Sequence, residues 1–147
     1  VQTVVTLEGS KAANATSIAD LQSVFLGAQV GTTSYAAIGE VIKPKTNALA
    51  FNTNDDAVAA LKNGQVDALV LDLPTALYEA AVDLTGGKII GQLPTAKKGD
   101  QFGLVLDKGS PLTTAVSAAV DALKADGTLA KLEDQWLTTS AGAPVLK

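Results

Sequence analysis

Two short polar segments carry the residues of this sequence whose types and spacing could do chemistry. The first runs from Gly31 to Ser34, reads GTTS, and follows the predicted strand Ala28–Val30. The second is Asp72, which ends the apolar run VDALVLD. Because ligands of open α/β sheets bind beyond the carboxyl ends of the strands, the two segments are candidates for a single binding site.

The segment around Gly31 is suited to an anion, because it lies where a strand passes into the predicted helix Ser34–Ile42. A helix start offers unpaired backbone N–H groups and roughly half a positive charge, and a glycine lets a ligand come close to the backbone. The hydroxyl groups of Thr32 and Thr33 add hydrogen-bond donors without a fixed charge, which favours a carboxylate over a polyphosphate. A phosphate-binding loop would also need a Lys at its end, and none follows here.

Asp72 is suited to a cation, since its carboxylate ends an apolar run with few Lys residues nearby in the sequence. An anion-binding helix start together with a cation-binding carboxylate would match a zwitterion, and free α-amino acids are the commonest small zwitterions. Each segment also has a simpler interpretation, because Ser, Thr and Asp are ordinary N-cap residues of helices. The spacing alone leaves both interpretations open.

The composition excludes several classes of chemistry. The 147 residues include no Cys, His or Met, and all 11 positive charges are Lys. A zinc site, a redox dithiol and a nucleophile activated by an imidazole are therefore excluded, while carboxylate, Lys, Tyr and hydroxyl side chains remain. Paired-carboxylate catalysis has no support beyond the presence of acids, and we expect no metal, no cofactor and no enzymatic activity. The net charge of −4 argues against a nucleic acid or an anionic membrane as partner.

The predicted secondary structure is that of an α/β fold. The order from about residue 27 to residue 93 is β-α-β-α-β-α-β, preceded by a strand at Val1–Leu7 and a short helix that Thr16 or Ser17 begins. Val66–Leu71 is a mostly apolar run between two helices, which indicates a strand of a parallel sheet buried on both faces. We therefore predict a doubly wound, mostly parallel sheet, with Asn54 as the cap of the helix before this strand.

The last third of the chain has a different pattern. It begins with a predicted strand at Phe102–Leu106, followed by a helix that Ser110 and Pro111 begin and a second helix after Gly127. Apolar residues recur at helical spacing in both helices, which predicts a face that packs on a further surface. These residues are Val116, Val120, Leu123, Leu129, Leu132 and Trp136. We predict Trp136 to be a core residue.

Four segments of the sequence resemble the polar amino-acid family of ABC-transporter solute-binding proteins. They read GTTSYAAI, AFNTNDDAVAALKNGQVDALVLDLPTALY, GDQFGLVLDKGSPL and VDALKADGTLAKLEDQWL, and the resemblance extends from about residue 17 to residue 137. It implies the two-lobed type II periplasmic-binding-protein fold, in which the ligand lies between the lobes. Residues 1–107 would then form the second lobe with two hinge-crossing strands, at about 1–7 and 101–107. Residues 108–147 would be a helical segment that returns to the first lobe.

The same resemblance implies roles for individual residues. Thr32 and Thr33 match the positions at which the family binds the α-carboxylate of its ligand, and Asp72 matches the acid that binds the ammonium group. Gln29 matches a position that often faces the ligand side chain, and Gly31 precedes the carboxylate-binding helix start. The Arg and the aromatic residues with which the family clamps its ligand come from the first lobe, and this sequence contains no Arg.

The resemblance further implies a protein in the periplasm, or on the extracellular face of the cytoplasmic membrane, that captures a free amino acid and delivers it to a membrane permease. A chain that begins at Val1 without Met would be a processed or partial product, with most of the first lobe missing and an apolar face available for self-association. Two alternatives use the same fold: a dehydratase of the cyclohexadienyl type, and the amino-acid-sensing domain of a receptor.

Overall fold

The structure, a computed structural model, describes residues 1–94, 101–138 and 142–147. The chain divides into two compact units, Val1–Lys98 with Ala143–Lys147, and Gly99–Gly142. The first unit is an α/β sheet domain, and helices make up most of what is described of the second. Within the described ranges, no helix combines the length and the apolar character that a membrane crossing requires.

Five strands form the sheet of the first unit, and all but the first run parallel to one another. They are β1 (Gln2–Leu7), β2 (Leu26–Gln29), β3 (Leu49–Phe51), β4 (Ala68–Asp72) and β5 (Gly87–Gln92), in the spatial order β3-β2-β4-β1-β5. β2 pairs in parallel with both β3 and β4, whereas β1 lies antiparallel between β4 and β5. The predicted doubly wound, mostly parallel sheet is therefore confirmed.

Helices connect the strands and cover both faces of the sheet. They are α1 (Ile18–Leu21), α2 (Thr33–Ala37), α3 (Asn54–Lys62) and α4 (Leu73–Tyr78), and α2 and α4 continue as wider π-helical turns over Ile38–Ile42 and Glu79–Asp83. Two apolar clusters lie on the two faces, one containing Val4 and Val70 and the other containing Val5 and Leu69. Neighbouring residues of β4 thus alternate between two cores, as expected of a strand buried on both faces.

Hydroxyl residues cap α1 and α3. Ser17 caps α1 in a reciprocal arrangement with Asp20: the Ser17 hydroxyl accepts from the Asp20 amide at 3.3 Å, and the Asp20 carboxylate accepts from the Ser17 amide at 2.9 Å. The cap of α3 is Thr53 rather than the predicted Asn54, because Thr53 has an extended backbone and its hydroxyl accepts from the Asp56 amide at 3.1 Å. These caps satisfy backbone N–H groups of the first turn that have no partner within the helix.

Two helices make up most of the second unit: α5 (Thr113–Ala125) and α6 (Thr128–Glu133), the latter continuing as π-helical turns over Asp134–Thr138. Gly127 joins them with a φ of +78°, a left-handed conformation that glycine adopts without strain. None of the residues in α5 and α6 is buried. Trp136 is 61% exposed, so its prediction as a core residue is wrong. Within the described part of this unit, no residues bury the predicted apolar face of α5 and α6.

Two further predictions for this part of the chain are wrong. Residues 101–107 form no strand, and Phe102 and Val105 are 82% and 96% exposed. A lone strand is unstable because its backbone groups need a partner, and no strand of the described residues pairs with this segment. α5 begins at Thr113 after Leu112, and Ser110 instead accepts a hydrogen bond from the Leu112 amide at 3.3 Å in the preceding turn.

The last residues of the chain pack on the sheet of the first unit. The Gln92 amide donates to the Pro144 carbonyl at 2.8 Å, the Leu146 amide donates to the Gln92 carbonyl at 2.9 Å, and Leu146 is buried in the Val4 cluster. Gly91 permits this approach, because a Cβ atom there would lie 2.6 Å from the Pro144 carbonyl oxygen. Residues 143–147 therefore lie with the sheet, although the sequence predicted them as part of the helical segment 108–147. The assignment of that segment to another lobe stays a prediction.

Replacing Leu146 by Ala should destabilise the sheet unit by about 2–5 kcal/mol, because the truncation leaves a cavity among buried apolar side chains. Val145 provides the control, since its side chain is 58% exposed. Val145→Ala should change the free energy of unfolding by no more than about 0.5 kcal/mol. Urea denaturation followed by circular dichroism measures both variants, and equal effects would contradict the packing of the tail on the sheet.

Glu79 is a buried acid at the start of the π-helical continuation of α4. Its Oε2 atom has no hydrogen-bond partner among the described residues. Burial raises the pKa of Glu79, and the carboxylates of Asp83 and Asp55 raise it further against the opposing effect of Lys62. The folded state therefore binds this proton more tightly than the unfolded chain. The stabilisation that this bound proton brings is fully present below the ordinary pKa of 4.5. It is lost as the pH rises through the pKa of Glu79 in the folded state.

Glu79→Gln should accordingly raise the free energy of unfolding at neutral pH, and the gain should shrink as the pH falls through the folded-state pKa of Glu79 toward the ordinary value of 4.5. Glu40 lies in the continuation of α2 and is exposed, so Glu40→Gln should have little effect at either pH. Urea denaturation across this pH range checks both variants. A gain for Glu79→Gln that is independent of pH would mean that the buried charge is not its cause.

Candidate functional site

The chain passes from β2 into α2 through a turn at Gly31, which has a φ of +75°. Thr32 caps α2: its hydroxyl oxygen accepts from the Tyr35 amide at 3.1 Å, and the hydroxyl donates to the Gln29 carbonyl at 2.6 Å. The capping interpretation of this segment is thus confirmed. Thr33, the first residue of the helix, is exposed, so its side chain lies at the surface beside the positive end of α2.

Asp72 ends β4 and caps α4. Its Oδ1 atom accepts from the Thr75 hydroxyl at 2.8 Å, and its Oδ2 atom accepts from the Thr75 amide at 3.5 Å. The side chain is half-buried, so part of the carboxylate stays accessible. A carboxylate offers about four lone-pair positions, and these two hydrogen bonds leave others for a ligand. Capping of α4 is therefore compatible with binding of a cation by Asp72.

The parallel pairing of β2 with β4 brings these two helix starts to one edge of the sheet. The register pairs Gly27 with Leu69, and continuing it along both strands sets Val30 level with Asp72. Neighbouring strands of a sheet are about 4.8 Å apart. The start of α2 therefore lies beside the start of α4, at the carboxyl ends of adjacent parallel strands.

Gln2 links the two helix starts, and the sequence patterns did not single it out. It lies opposite Asp72 in the antiparallel register of β1 with β4 and is 5% exposed. Its Nε2 atom donates to the Thr33 hydroxyl at 3.0 Å, and its Oε1 atom accepts from the Ser34 hydroxyl at 2.5 Å. The signal that could have found it is the alternation of β1. That alternation puts Gln2 on the same face as the buried Val4, where a polar side chain needs a partner.

Gln29 lies at the end of β2 and is half-buried. Its Nε2 atom donates to the Asn52 carbonyl at 3.0 Å, which ties the end of β2 to the loop between β3 and α3. The protein itself thus engages the amide nitrogen of Gln29. A contact between Gln29 and a ligand side chain, which stays a prediction, would use the amide oxygen or the second N–H of the amide nitrogen.

The start of α2 and the side chain of Asp72 form an open surface, here called the wall, and not an enclosed pocket. A cavity of about 400 Å³ lies between α2 and the segment before β3, and another of about 580 Å³ lies near the end of β1. Neither is lined by Thr32, Thr33 or Asp72. The described ranges hold no group of three His, Cys, Asp or Glu side chains that could bind a metal ion. The wall presents the positive end of α2 beside the carboxylate of Asp72 at the start of α4, which suits the binding of a small zwitterion.

Residues 32–139 match a family model, that of the bacterial extracellular solute-binding proteins, family 3. Among solved structures, an ancestral arginine-binding protein bound to arginine has a TM-score of 0.65 and 30% sequence identity, covering 92% of this chain and 59% of that one. An ancestral amino acid-binding protein, a precursor of cyclohexadienyl dehydratase, has a TM-score of 0.64 and 29% identity, covering 93% of this chain and 56% of that one.

Two further likenesses extend this pattern. An amino acid ABC transporter substrate-binding protein from Streptococcus pneumoniae shares the fold, with a TM-score of 0.71 and 22% identity over 99% of this chain and 58% of that one. Glutamate (NMDA) receptor subunit 1 of Drosophila melanogaster is 31% identical over 90 residues, which are 59% of this chain and 8% of the receptor subunit. The chain thus spans less than two thirds of the length of each of these proteins. Because the family model covers well over half of its residues, the chain belongs to the bacterial extracellular solute-binding proteins of family 3.

Proposed function

We propose that this chain is the second lobe of an amino-acid-binding protein that serves an ABC transporter outside the cytoplasmic membrane. The α-carboxylate of the ligand binds at the start of α2, to Thr33 and to the backbone N–H groups of Thr32 and its neighbours next to Gly31, because the Thr32 hydroxyl already donates to the Gln29 carbonyl. The ammonium group binds to Asp72. The observation that carries the proposal is the pairing of β2 with β4. It brings the start of α2, which suits an anion, and the carboxylate of Asp72, which suits a cation, to one edge of the sheet.

The contact with Asp72 should contribute most to affinity. Its carboxylate is half-buried in this lobe, and a second lobe that closed over it would remove more of it from water. Losing one partner of a buried charge pair costs about 2–5 kcal/mol. The start of a helix contributes roughly 0.3–2 kcal/mol toward binding an anion. Variants of Asp72 are therefore the most sensitive test of the site.

Capture by closure accounts for the open wall. A ligand between two lobes contacts both of them only in the closed form, so ligand binding favours that form, which a membrane permease then recognises. The exposed side chains of Phe102 and Val105 and the uncovered face of α5 and α6 support a further lobe that covers them. Without that lobe the same apolar surface favours self-association of the chain.

Two other functions have an observation in their favour. One similar structure is a precursor of cyclohexadienyl dehydratase, which makes a dehydratase the second candidate. Such an enzyme needs acid–base groups in the cleft, and the acid on the described part of the wall, Asp72, is also a helix cap. The similarity to an NMDA receptor subunit makes an amino-acid-sensing domain the third candidate.

Asp72→Asn should weaken amino-acid binding by roughly 30-fold or more, because it removes the charge that pairs with the ammonium group. Asn caps helices as well as Asp does, so α4 should stay folded. Asp67→Asn is the matched control, since Asp67 lies just before the other end of β4. Its carboxylate accepts from the Phe25 amide at 2.8 Å, which an amide oxygen can also do. Calorimetry of the complete two-lobed protein with the common amino acids measures both variants.

Three results would count against the proposal in different ways. Affinity of Asp72→Asn within twofold of the unchanged protein would contradict the ammonium assignment. Turnover of prephenate or arogenate would favour the dehydratase. A complete protein that binds none of the common amino acids would contradict the proposed function as a whole.

A further inference from the structure

We propose that Gln2 is a positioning residue of the amino-acid site, which holds the first turn of α2 at a fixed place relative to Asp72. The inference rests on the proposed function, and it concerns a residue that belongs to neither half of the site. Gln2 lies on β1, directly opposite Asp72 in the register with β4. Its side chain reaches from there to α2.

Both polar atoms of the Gln2 amide bind to α2. The nitrogen donates to the Thr33 hydroxyl and the oxygen accepts from the Ser34 hydroxyl, at 3.0 and 2.5 Å. Gln2 and Ser34 are 5% and 7% exposed, so these groups are largely withdrawn from water. Hydrogen bonds between buried groups are costly to break, because each partner is left unsatisfied. One side chain thus attaches two successive residues of α2 to the sheet.

Gln2 differs from the other contacts of this turn in what it connects. The two hydrogen bonds of the Thr32 hydroxyl, to Gln29 and Tyr35, stay within the corner between β2 and α2. A Cβ atom added at Gly31 would have no atom within 4 Å, so no other residue packs against that side of the turn. Gln2 instead joins the corner to the strand that pairs with the end of β4 at Asp72.

This connection matters because a zwitterion has a fixed separation between its two charged groups. The two groups that bind it must be held at the matching separation, to within about 0.5 Å for a precise site. If the Gln2 amide is lost, the start of α2 can shift relative to Asp72, and the ligand carboxylate is then held less well. The effect should therefore fall on the carboxylate end of the ligand.

The simpler alternative is that Gln2 only satisfies the buried Ser34 hydroxyl. In that case its removal would lower the stability of the sheet unit and leave the discrimination between ligands unchanged. Gln22 provides a matched control for such a stability effect. It is a half-buried glutamine whose Nε2 atom donates to the Ile42 carbonyl at 3.0 Å, at the other end of the same helical run.

The experiment compares Gln2→Leu and Gln22→Leu in the complete two-lobed protein. The probes are L-arginine and L-glutamine. Each is compared with its α-carboxamide, which keeps the ammonium group but lacks the carboxylate. Calorimetry is done at about pH 6 so that the α-ammonium groups of the amino acids and of their carboxamides stay protonated. Gln2→Leu should weaken binding of the amino acids roughly tenfold and binding of the carboxamides less than twofold. Gln22→Leu should change each of these affinities less than twofold, and Gln2→Leu should add little further loss in a Thr33→Ala background.

A second measurement needs no ligand. In Gln2→Leu, the backbone amides of Tyr35 and Ala36 in the first turns of α2 should exchange with solvent severalfold faster, as measured by NMR. The Thr75 amide, in the cap of α4, should exchange at an unchanged rate.

If Gln2→Leu does not fold, Gln2→Glu serves instead. It keeps an oxygen for Ser34 and puts a negative charge beside the carboxylate half of the site, so its loss of amino-acid affinity should exceed tenfold.

Equal weakening of amino acids and carboxamides, or no weakening of either, would overturn the positioning role of Gln2 while leaving the proposed function in place. An unchanged exchange rate for Tyr35 and Ala36 would overturn it as well. If the unchanged protein binds none of the probes and none of the other common amino acids, the proposed function fails, and this inference fails with it.

Discussion

Parallel pairing of β2 with β4 is the constraint on which the candidate site depends. Because both strands run in the same direction and in the register that pairs Gly27 with Leu69, they end together, and the helices that follow them begin side by side. The antiparallel strand β1 then lies beside β4 and brings Gln2 opposite Asp72. A shift of one residue in either register would turn the side chains of that strand to the other face of the sheet and separate these groups.

The sequence predicted several parts of the fold that depend on local pattern, although the start of α5 was not one of them. The apolar run that ends at Asp72 indicated a strand buried on both faces. Ordinary helix-start chemistry allowed a cap at Thr16 or Ser17 and one at Asp72, and the structure has caps at Ser17 and Asp72. The cap of α3 was misplaced by one residue, since Thr53 and Asn54 are both good caps and the backbone conformation of Thr53 decides between them. Predictions of this kind require only neighbours along the chain.

Features that depend on distant parts of the chain could not be predicted in the same way. The link from Gln2 to Thr33 spans 31 residues, and only the register of three strands brings the two together. The packing of Leu146 on β5 depends on the absence of a side chain at Gly91, which the sequence shows but does not explain. The segment around Phe102 has the composition of a strand, yet a strand also needs a partner, and composition carries no information about one.

A crystal structure of the proposed two-lobed protein with L-arginine would test the proposed zwitterion site most directly. The site predicts that a carboxylate oxygen of the ligand lies within about 3 Å of the Thr33 hydroxyl or a backbone N–H at the start of α2. It also predicts that the ammonium nitrogen lies within about 3 Å of the Asp72 carboxylate. A ligand whose ammonium group binds away from Asp72, or one that occupies the cavity beside Tyr35, would contradict this assignment.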